Sequence, residues 1–290
     1  MKSKPASILW ELVGRLANTT LTVRISGEMG VGKEAVARLL GRHYPHSKVK
    51  FQKIDCRQLT IGAAPSPTTR LNRLLASPNR KVFYLENIES ATKEIQNRLL
   101  ELLSTGYADS PPWLLASSLQ PLERFLNSGR LSFKLYQAMN TLHILLPPLR
   151  TRSERIPQIL SWFLNHYHHN LPSGSLALPG MREMERLMNY HWPMNWRQLQ
   201  EFAKKAVDKM AWDVPLNSSL PQKALPQEID DIAAIYILSM ARLRINKENV
   251  LEQMMSASQS DEIGLLDLVI LNEAVDQIAE QLRDGEDDLI

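Results

Sequence analysis

A single cysteine, Cys56, in 290 residues excludes an internal disulfide framework and any metal site built from several thiolates. With no partner set of histidines and cysteines, Cys56 reads as a buried, reduced strand residue without chemistry of its own. Long apolar runs are also missing. No segment approaches the roughly 18 uninterrupted apolar residues of a membrane span, and Met1-Lys2-Ser3-Lys4-Pro5 lacks the apolar core of a secretion signal. A cytoplasmic location is the expectation. Internal repeats are absent, and aromatics make up only 7% of the chain. The remaining composition, 44% hydrophobic and 22% charged, is that of an ordinary globular protein large enough for one α/β domain with a smaller companion.

The formal net charge of +3 conceals an asymmetry. From Asp261 onward ten acids face Arg283 alone, which leaves the tail at −9 and the remainder at +12. A dispersed basic excess of this size reads as a solvated surface before it reads as a nucleic-acid footprint.

Glycine is sparse, 12 residues in all, yet three of them fall in Gly27-Glu28-Met29-Gly30-Val31-Gly32-Lys33-Glu34. This stretch lies between an apolar run, Leu21 to Ser26, and a helical one, Ala35 to His43. Strand, glycine-rich turn and helix in that order make a phosphate-binding loop. The glycines permit backbone angles that turn successive N–H groups toward one anion, the helix points its positive end at it, and Lys33 reaches the outer phosphates. The candidate nucleotide-binding residues are Gly27, Glu28, Gly30, Val31, Gly32, Lys33 and Glu34. Glu34 stands where most such loops carry a Ser or Thr hydroxyl for magnesium.

Along the chain, Ala6 to Asn18 reads as an amphipathic helix and Val49 to Cys56 as a strand. Arg57 to Arg80 is a proline-bearing connector with a short helix at Thr69 to Ala76. Lys81 to Leu85 is a buried strand ending in Glu86-Asn87, and Thr92 to Thr105 a helix. Trp113 to Ala116 is a strand ending in Ser117-Ser118, and Leu142 to Leu146 a fifth. Strands alternating with helices predict a five-stranded parallel sheet with ligands at the carboxyl ends of its strands. Beyond Pro147-Pro148 the pattern turns wholly helical: Ser153 to His169, Pro179 to Asn189, and Asn195 to Trp212. Asp213 to Gln227 is a proline-rich linker. Helices follow at Glu228 to Leu243, Lys247 to Ser256, and Gly264 to Leu282.

The order of these motifs resembles the AAA+ ATPase domain of the bacterial enhancer-binding proteins that activate sigma-54 RNA polymerase, from Val23 to about Val207. In that family the loop reads GESGTGKE, so Glu34 is close to its norm. Ile54-Asp55-Cys56 is similar to its V-N-C strand. Ile95-Gln96-Asn97-Arg98-Leu99-Leu100-Glu101-Leu102-Leu103 resembles VQxKLLRVL, and Leu146-Pro147-Pro148-Leu149-Arg150-Thr151-Arg152 resembles LPPLRER. Trp192-Pro193-Met194-Asn195-Trp196-Arg197-Gln198-Leu199 resembles WPGNVREL. The resemblance implies that Arg197 approaches nucleotide phosphates from a helical lid. It implies a P-loop AAA+ α/β subdomain over residues 1–148, a lid over 149–212, a linker over 213–227, and a C-terminal helical interaction region with an acidic end over 228–290.

The departures from the family bear on function. Its D-E at the end of the third strand is here Glu86-Asn87. Glu86 could still hold magnesium with a longer arm, but Asn87 cannot accept a proton from water. The sensor asparagine becomes Ser118. Where the family writes F-R-x-D-L-x-x-R-L, this chain has Leu131 to Met139, so Ser132 and Ala138 replace both finger arginines. Arg130 and Lys134 are near but out of register. Such a finger is worth about 10³–10⁵ in rate where it has been measured. The connector between Cys56 and Lys81 is too short for the GAFTGA loop that contacts sigma, and the acidic final helices replace a DNA-reading helix-turn-helix.

The expectation is therefore a degenerate member that binds ATP or ADP, with magnesium at most at Glu86. It hydrolyses little or nothing and acts through protein partners or an oligomer, without direct DNA binding or a membrane span. A working ATPase on a non-sigma partner and a scaffold with a vestigial nucleotide site are the alternatives.

Overall fold

The computed structural model describes residues 21–43, 50–59, 65–75, 81–105, 113–168, 176–219, 234, 237–238 and 240–246. The expected helices Ala6 to Asn18, Lys247 to Ser256 and Gly264 to Leu282, the acidic tail, and most of the linker lie outside the described residues.

Six strands form one sheet: β1 (Val23–Ser26), β2 (Lys50–Asp55), β3 (Lys81–Glu86), β4 (Trp113–Ser118), β5 (Leu142–Leu145) and β6 (Arg242–Ile245), in the order β2-β3-β4-β1-β5-β6. The first five are parallel, as their alternation with helices predicts. β6 joins β5 antiparallel, pairing Leu142 with Ile245 and Leu145 with Arg242. The expected helix Glu228 to Leu243 is thus corrected. Residues 234, 237 and 238 are helical, but Arg242-Leu243-Arg244-Ile245 has the period-2 alternation of a strand, too short to outweigh the helical run before it.

Nine helices are described: α1 (Lys33–Arg42), α2 (Cys56–Leu59), α3 (Pro67–Leu75), α4 (Lys93–Thr105), α5 (Glu123–Asn127), α6 (Phe133–Met139), α7 (Ile156–His168), α8 (Met181–Met188) and α9 (Asn195–Lys209). Cys56 opens α2 instead of closing β2, a second correction. It is buried, and desolvation with the nearby charges of Asp55, Glu89 and Glu86 pushes its thiol up to about 12, so it stays protonated. α5 and α6 escape periodicity because each spans two turns or fewer.

The described residues divide into two compact units. The first holds the sheet and its flanking helices. Ile54, Phe83, Leu85, Leu114 and Ala116 meet Ile95 and Leu99 of α4 and Leu135 and Met139 of α6 there. Its interior also carries Arg24, a charge in the middle of β1. Arg24 Nη2 donates to Asn140 Oδ1 at 2.8 Å and to His143 Nδ1 at 3.1 Å, and pairs with Glu123 at 3.4 Å. Arginine can only donate, so Nδ1 of His143 accepts and its Nε2–H donates to Ser26 Oγ at 2.6 Å. Tyr136 Oη donates to Glu123 at 2.9 Å and closes the network.

The second unit comprises Gly27–Ala35 and Leu146–Met240. Ile156, Leu160 and Phe163 of α7 are buried, as are Leu187 of α8 and Trp196, Leu199 and Phe202 of α9. Trp192 lies edge-on to Phe202 with ring centroids 5.9 Å apart, and its Nε1–H donates to Leu187 O at 2.8 Å. Ala234, Ile237 and Leu238, from beyond the linker, are also buried. Ile237 lies against the phosphate loop: a Cβ on Gly32 would come within 2.6 Å of its Cδ1. Replacing Ile237 by Ala should therefore cost about 2–5 kcal/mol, read by equilibrium urea unfolding, since it removes apolar contact behind the loop.

Candidate functional site

The glycine-rich loop and the lid belong to one unit, and their contacts define its geometry. Gly30 has φ +77°, and a Cβ there would overlap the carbonyl oxygen of Met194 and lie 3.3 Å from Arg197 Cβ. Only glycine allows that approach. Val31 is fully buried, and Lys33 and Glu34 at the start of α1 are buried as well. Lys33 Nζ donates to Gly27 O at 2.7 Å and to Glu28 O at 2.8 Å, so its ammonium is held over the loop's own carbonyls.

Asn195 ties the loop to the lid. It is completely buried, with φ +48° at the first residue of α9. Its Oδ1 accepts from Leu149 N at 2.7 Å, while Nδ2 donates to Met29 O at 2.8 Å and reaches Glu28 Oε2 at 3.3 Å. Arg150 adds a two-pronged ion pair to Glu28, at 2.5 and 2.7 Å. Hydrogen bonding to Arg150 is the main reason the Glu28 carboxyl lies below the usual carboxylate range. The Glu28 side chain is committed to the lid. Arg197, two residues into α9, is brought beside Gly30.

The other candidates lie at the carboxyl ends of the strands in the sheet unit. Asp55 and Glu86 are register partners on β2 and β3. Glu86 pairs with Lys53 at 3.0 Å. Asn87, in the left-handed region at φ 56°, is buried and donates from Nδ2 to Asp55 Oδ1 at 3.0 Å. Asp55 also accepts from Arg57: N at 3.0 Å, Nε at 3.2 Å, and Nη2 to Oδ2 at 3.0 Å. Burial raises the Asp55 carboxyl, and the bonds from Arg57 and Asn87 outweigh it, leaving a net lowering. Ser118 ends β4 with its Oγ buried and without a hydrogen-bond partner among the described residues. Close by, Glu89 Oε1 accepts from Leu119 N at 2.9 Å, while its Oε2 is buried and unpartnered.

Ser132 and Ala138, the positions at which the resemblance expects arginines, both lie at α6. Ser132 caps α6, accepting from Leu135 N at 3.1 Å. Ala138 lies within α6. Of the neighbouring cations, Lys134 is exposed and Arg130 sits over the Phe125 ring at 5.3 Å. Among the described residues no group of three or more His, Cys, Asp or Glu side chains is arranged to hold a metal ion. Glu86, the expected magnesium ligand, is a poor fit, because Lys53 already matches its charge.

A family model described as the sigma-54 interaction domain matches residues 2–149. This chain belongs to that family. Among curated relatives, the DNA-binding transcriptional regulator NtrC of Proteus hauseri is 28% identical over 242 residues, covering 76% of this chain and 49% of the relative. NtrC of Klebsiella pneumoniae is 28% identical, covering 77% of this chain and 52% of the relative. The chain thus spans about half the length of the curated relatives it matches. Among solved structures, NtrX of Brucella abortus in complex with ADP superposes with a TM-score of 0.60 at 17% identity, covering 97% of this chain and 68% of that one. This likeness supports the AAA+ fold.

Asp55, Glu89, Arg150 and Asn195 carry contacts that residue type and spacing do not announce. Asn195 lies inside a matched motif, and its signal was a polar residue opening an amphipathic helix. Replacing Asn195 by Ala leaves Met29 O and Leu149 N without their partner and should cost about 1–3 kcal/mol in thermal unfolding. The Glu28–Arg150 pair is more exposed. A depressed carboxyl contributes stability above its ordinary value of 4.5 that is lost as pH falls through the folded value. Arg150→Gln should therefore lower stability at pH 7 by no more than about 1 kcal/mol, and the deficit should vanish in acid.

Proposed function

We propose that the chain is a nucleotide-binding, weakly or non-hydrolysing member of the sigma-54 interaction domain family that acts by contacting other proteins in the bacterial cytoplasm. ATP or ADP binds at Gly27–Glu34, with Lys33 and the amides at the start of α1 on the phosphates and Arg197 approaching from the lid. Support comes from the loop's strand–turn–helix context, from Arg197 beside Gly30, and from NtrX structures solved with ADP and with ATP.

The observation that carries the hydrolytic part of the reading is the Asn87 carboxamide donating to Asp55. The residue that follows Glu86 is thereby a neutral amide without a basic oxygen for water, and Ser132 and Ala138 supply no cation to a transition state. The roles follow in order. Lys33 neutralises phosphate charge, Arg197 reports lid position, and Asn195 holds loop and lid turn together. No step requires a protein-held magnesium. Protein partners and further copies of the chain follow from the family and not from this geometry, and the short connector between Cys56 and Lys81 argues against sigma-54 among them. The region from Glu228 on remains the proposed interaction segment, although Ala234, Ile237 and Leu238 are buried in the loop–lid unit and Arg242–Ile245 pairs with β5 in the sheet.

A working ATPase is the second reading, and Glu89 favours it: a carboxylate oxygen buried without a partner, two residues beyond Asn87, would be a basic atom near Ser118. Calorimetry and phosphate release separate the two. ATP and ADP should each give binding heat that Lys33→Ala abolishes, and wild-type phosphate release should be no faster than that of Lys33→Ala. Turnover on the order of 1 s⁻¹, lost in both Lys33→Ala and Glu89→Gln, would establish the second reading.

A further inference from the structure

We infer that the surface around the turn joining α5 and α6 is a docking site for the acidic end of this same chain, Asp284 to Ile290, held by Arg124, Arg130 and Lys134 around the exposed ring of Phe133. Every described residue involved belongs to the sheet unit, so nothing here depends on nucleotide at the glycine-rich loop.

The surface has cations without acids. Residues 119–140 carry one acid, Glu123, against Arg124, Arg130 and Lys134. Glu123 is committed elsewhere: its Oε1 accepts from the buried Arg24 at 3.4 Å and from Tyr136 at 2.9 Å. Arg124, Arg130 and Lys134 are exposed, and none of them has a carboxylate partner among the described residues. Other cations of the unit differ, since Lys53, Arg57 and Arg98 are paired with Glu86, Asp55 and Glu101.

An aromatic ring stands among these charges. Leu135 and Met139 turn one stripe of α6 into the core, which leaves Phe133 on the far side at 58% exposure. Among the described residues of the sheet unit it is the one large apolar side chain so exposed. The turn before it is well fixed: Arg130 N and Leu131 N both donate to Phe125 O, at 2.9 and 3.1 Å, and the Arg130 guanidinium lies 5.3 Å over the Phe125 ring. Guanidinium groups beside aromatic rings suit an occupant that brings carboxylates and aliphatic side chains together.

The acidic end of the chain has that chemistry. Asp284, Glu286, Asp287 and Asp288 stand beside Leu289 and Ile290, with no cation among them. The chain also sets out from the right place. Asn246 N donates to Thr141 O at 3.0 Å, two residues past the end of α6, and α6 itself is only about 10 Å long. Roughly 40 residues then separate Asn246 from Asp284, a chain whose r.m.s. reach is about 35 Å when it behaves as a coil. Tethered at that distance, the segment is present at about millimolar effective concentration. An acidic protein or a nucleic-acid strand from outside has to displace it, so the chain's own segment is the favoured occupant.

Carbodiimide cross-linking of the full chain tests this, because it joins a carboxylate to an amine only where the two touch. Lys134 is the one lysine in the surface. After digestion and mass spectrometry, the monomer at low salt should yield Lys134 joined to Asp284, Glu286, Asp287 or Asp288. In about 0.5 M sodium chloride, where exposed charges are screened within about 4 Å, that yield should fall at least about fivefold. At low salt it should fall as far in Arg124→Glu/Arg130→Glu, which keeps Lys134, and at least about twofold in Phe133→Ser, which keeps all three cations. Leu289→Ser/Ile290→Ser, which alters only the segment, should match Phe133→Ser. Absence of the Lys134 product, or a yield indifferent to salt, to the arginine reversals or to Phe133→Ser, would overturn the inference. A product found only in a covalent dimer would also overturn it and give the surface to a second copy. So would binding of a single-stranded oligonucleotide to the full chain at about 0.15 M salt that Arg124→Glu/Arg130→Glu abolishes, which would give the surface to nucleic acid.

Discussion

The loop–lid unit depends on one steric constraint: the main chain at Gly30 passes so close to the carbonyl of Met194 that no side chain can stand there. That approach brings Arg197 Cβ beside the loop and lets the Asn195 amide span from Leu149 to Met29. Glycine at this position loses much conformational freedom on folding. Buried hydrogen bonds offset the cost, each worth about 0.5–1.5 kcal/mol net but more when broken on one side only. A loop secured in this way is preorganised, so less ordering remains to be done when an anion arrives.

The sheet unit solves a different problem. A parallel sheet covered on both faces ordinarily reads as continuous apolar strands, yet β1 places Arg24 and Ser26 among Val23 and Ile25. A buried guanidinium is costly unless paired and hydrogen-bonded, and here Glu123, Asn140 and His143 provide the partners. His143 is thereby fixed in the tautomer that donates to Ser26, the last residue before the phosphate loop. Protonating His143 would place a second cation against Arg24, so the neutral ring is part of the packing.

Much of this was legible in the sequence. The five parallel strands, the loop and the helices α4, α7 and α9 follow from periodicity and glycine spacing, because each buries one stripe or both faces. β6 was not legible: four residues of alternation after a helical run carry too little signal, and antiparallel pairing with β5 is decided by tertiary contact. The site divides similarly. Gly30 and Lys33 announce themselves by residue type and spacing. Asn195 and Asp55 do not, because what they do depends on partners 166 and 32 residues away in the chain.

The departures from the family pattern gain coherence once each is placed in the structure. Ser132 caps a helix, Arg130 lies over Phe125, Glu86 pairs with Lys53, and Asn87 is held by Asp55. At these four positions the hydrogen bond or charge is matched locally, whereas Ser118 Oγ is buried without a partner among the described residues. Replacing Ser132, Glu86 or Asn87 would therefore break an existing interaction before making a new one. Changes at contacting residues such as Asp55 and Asn87 are accordingly coupled in their effect on stability, not additive.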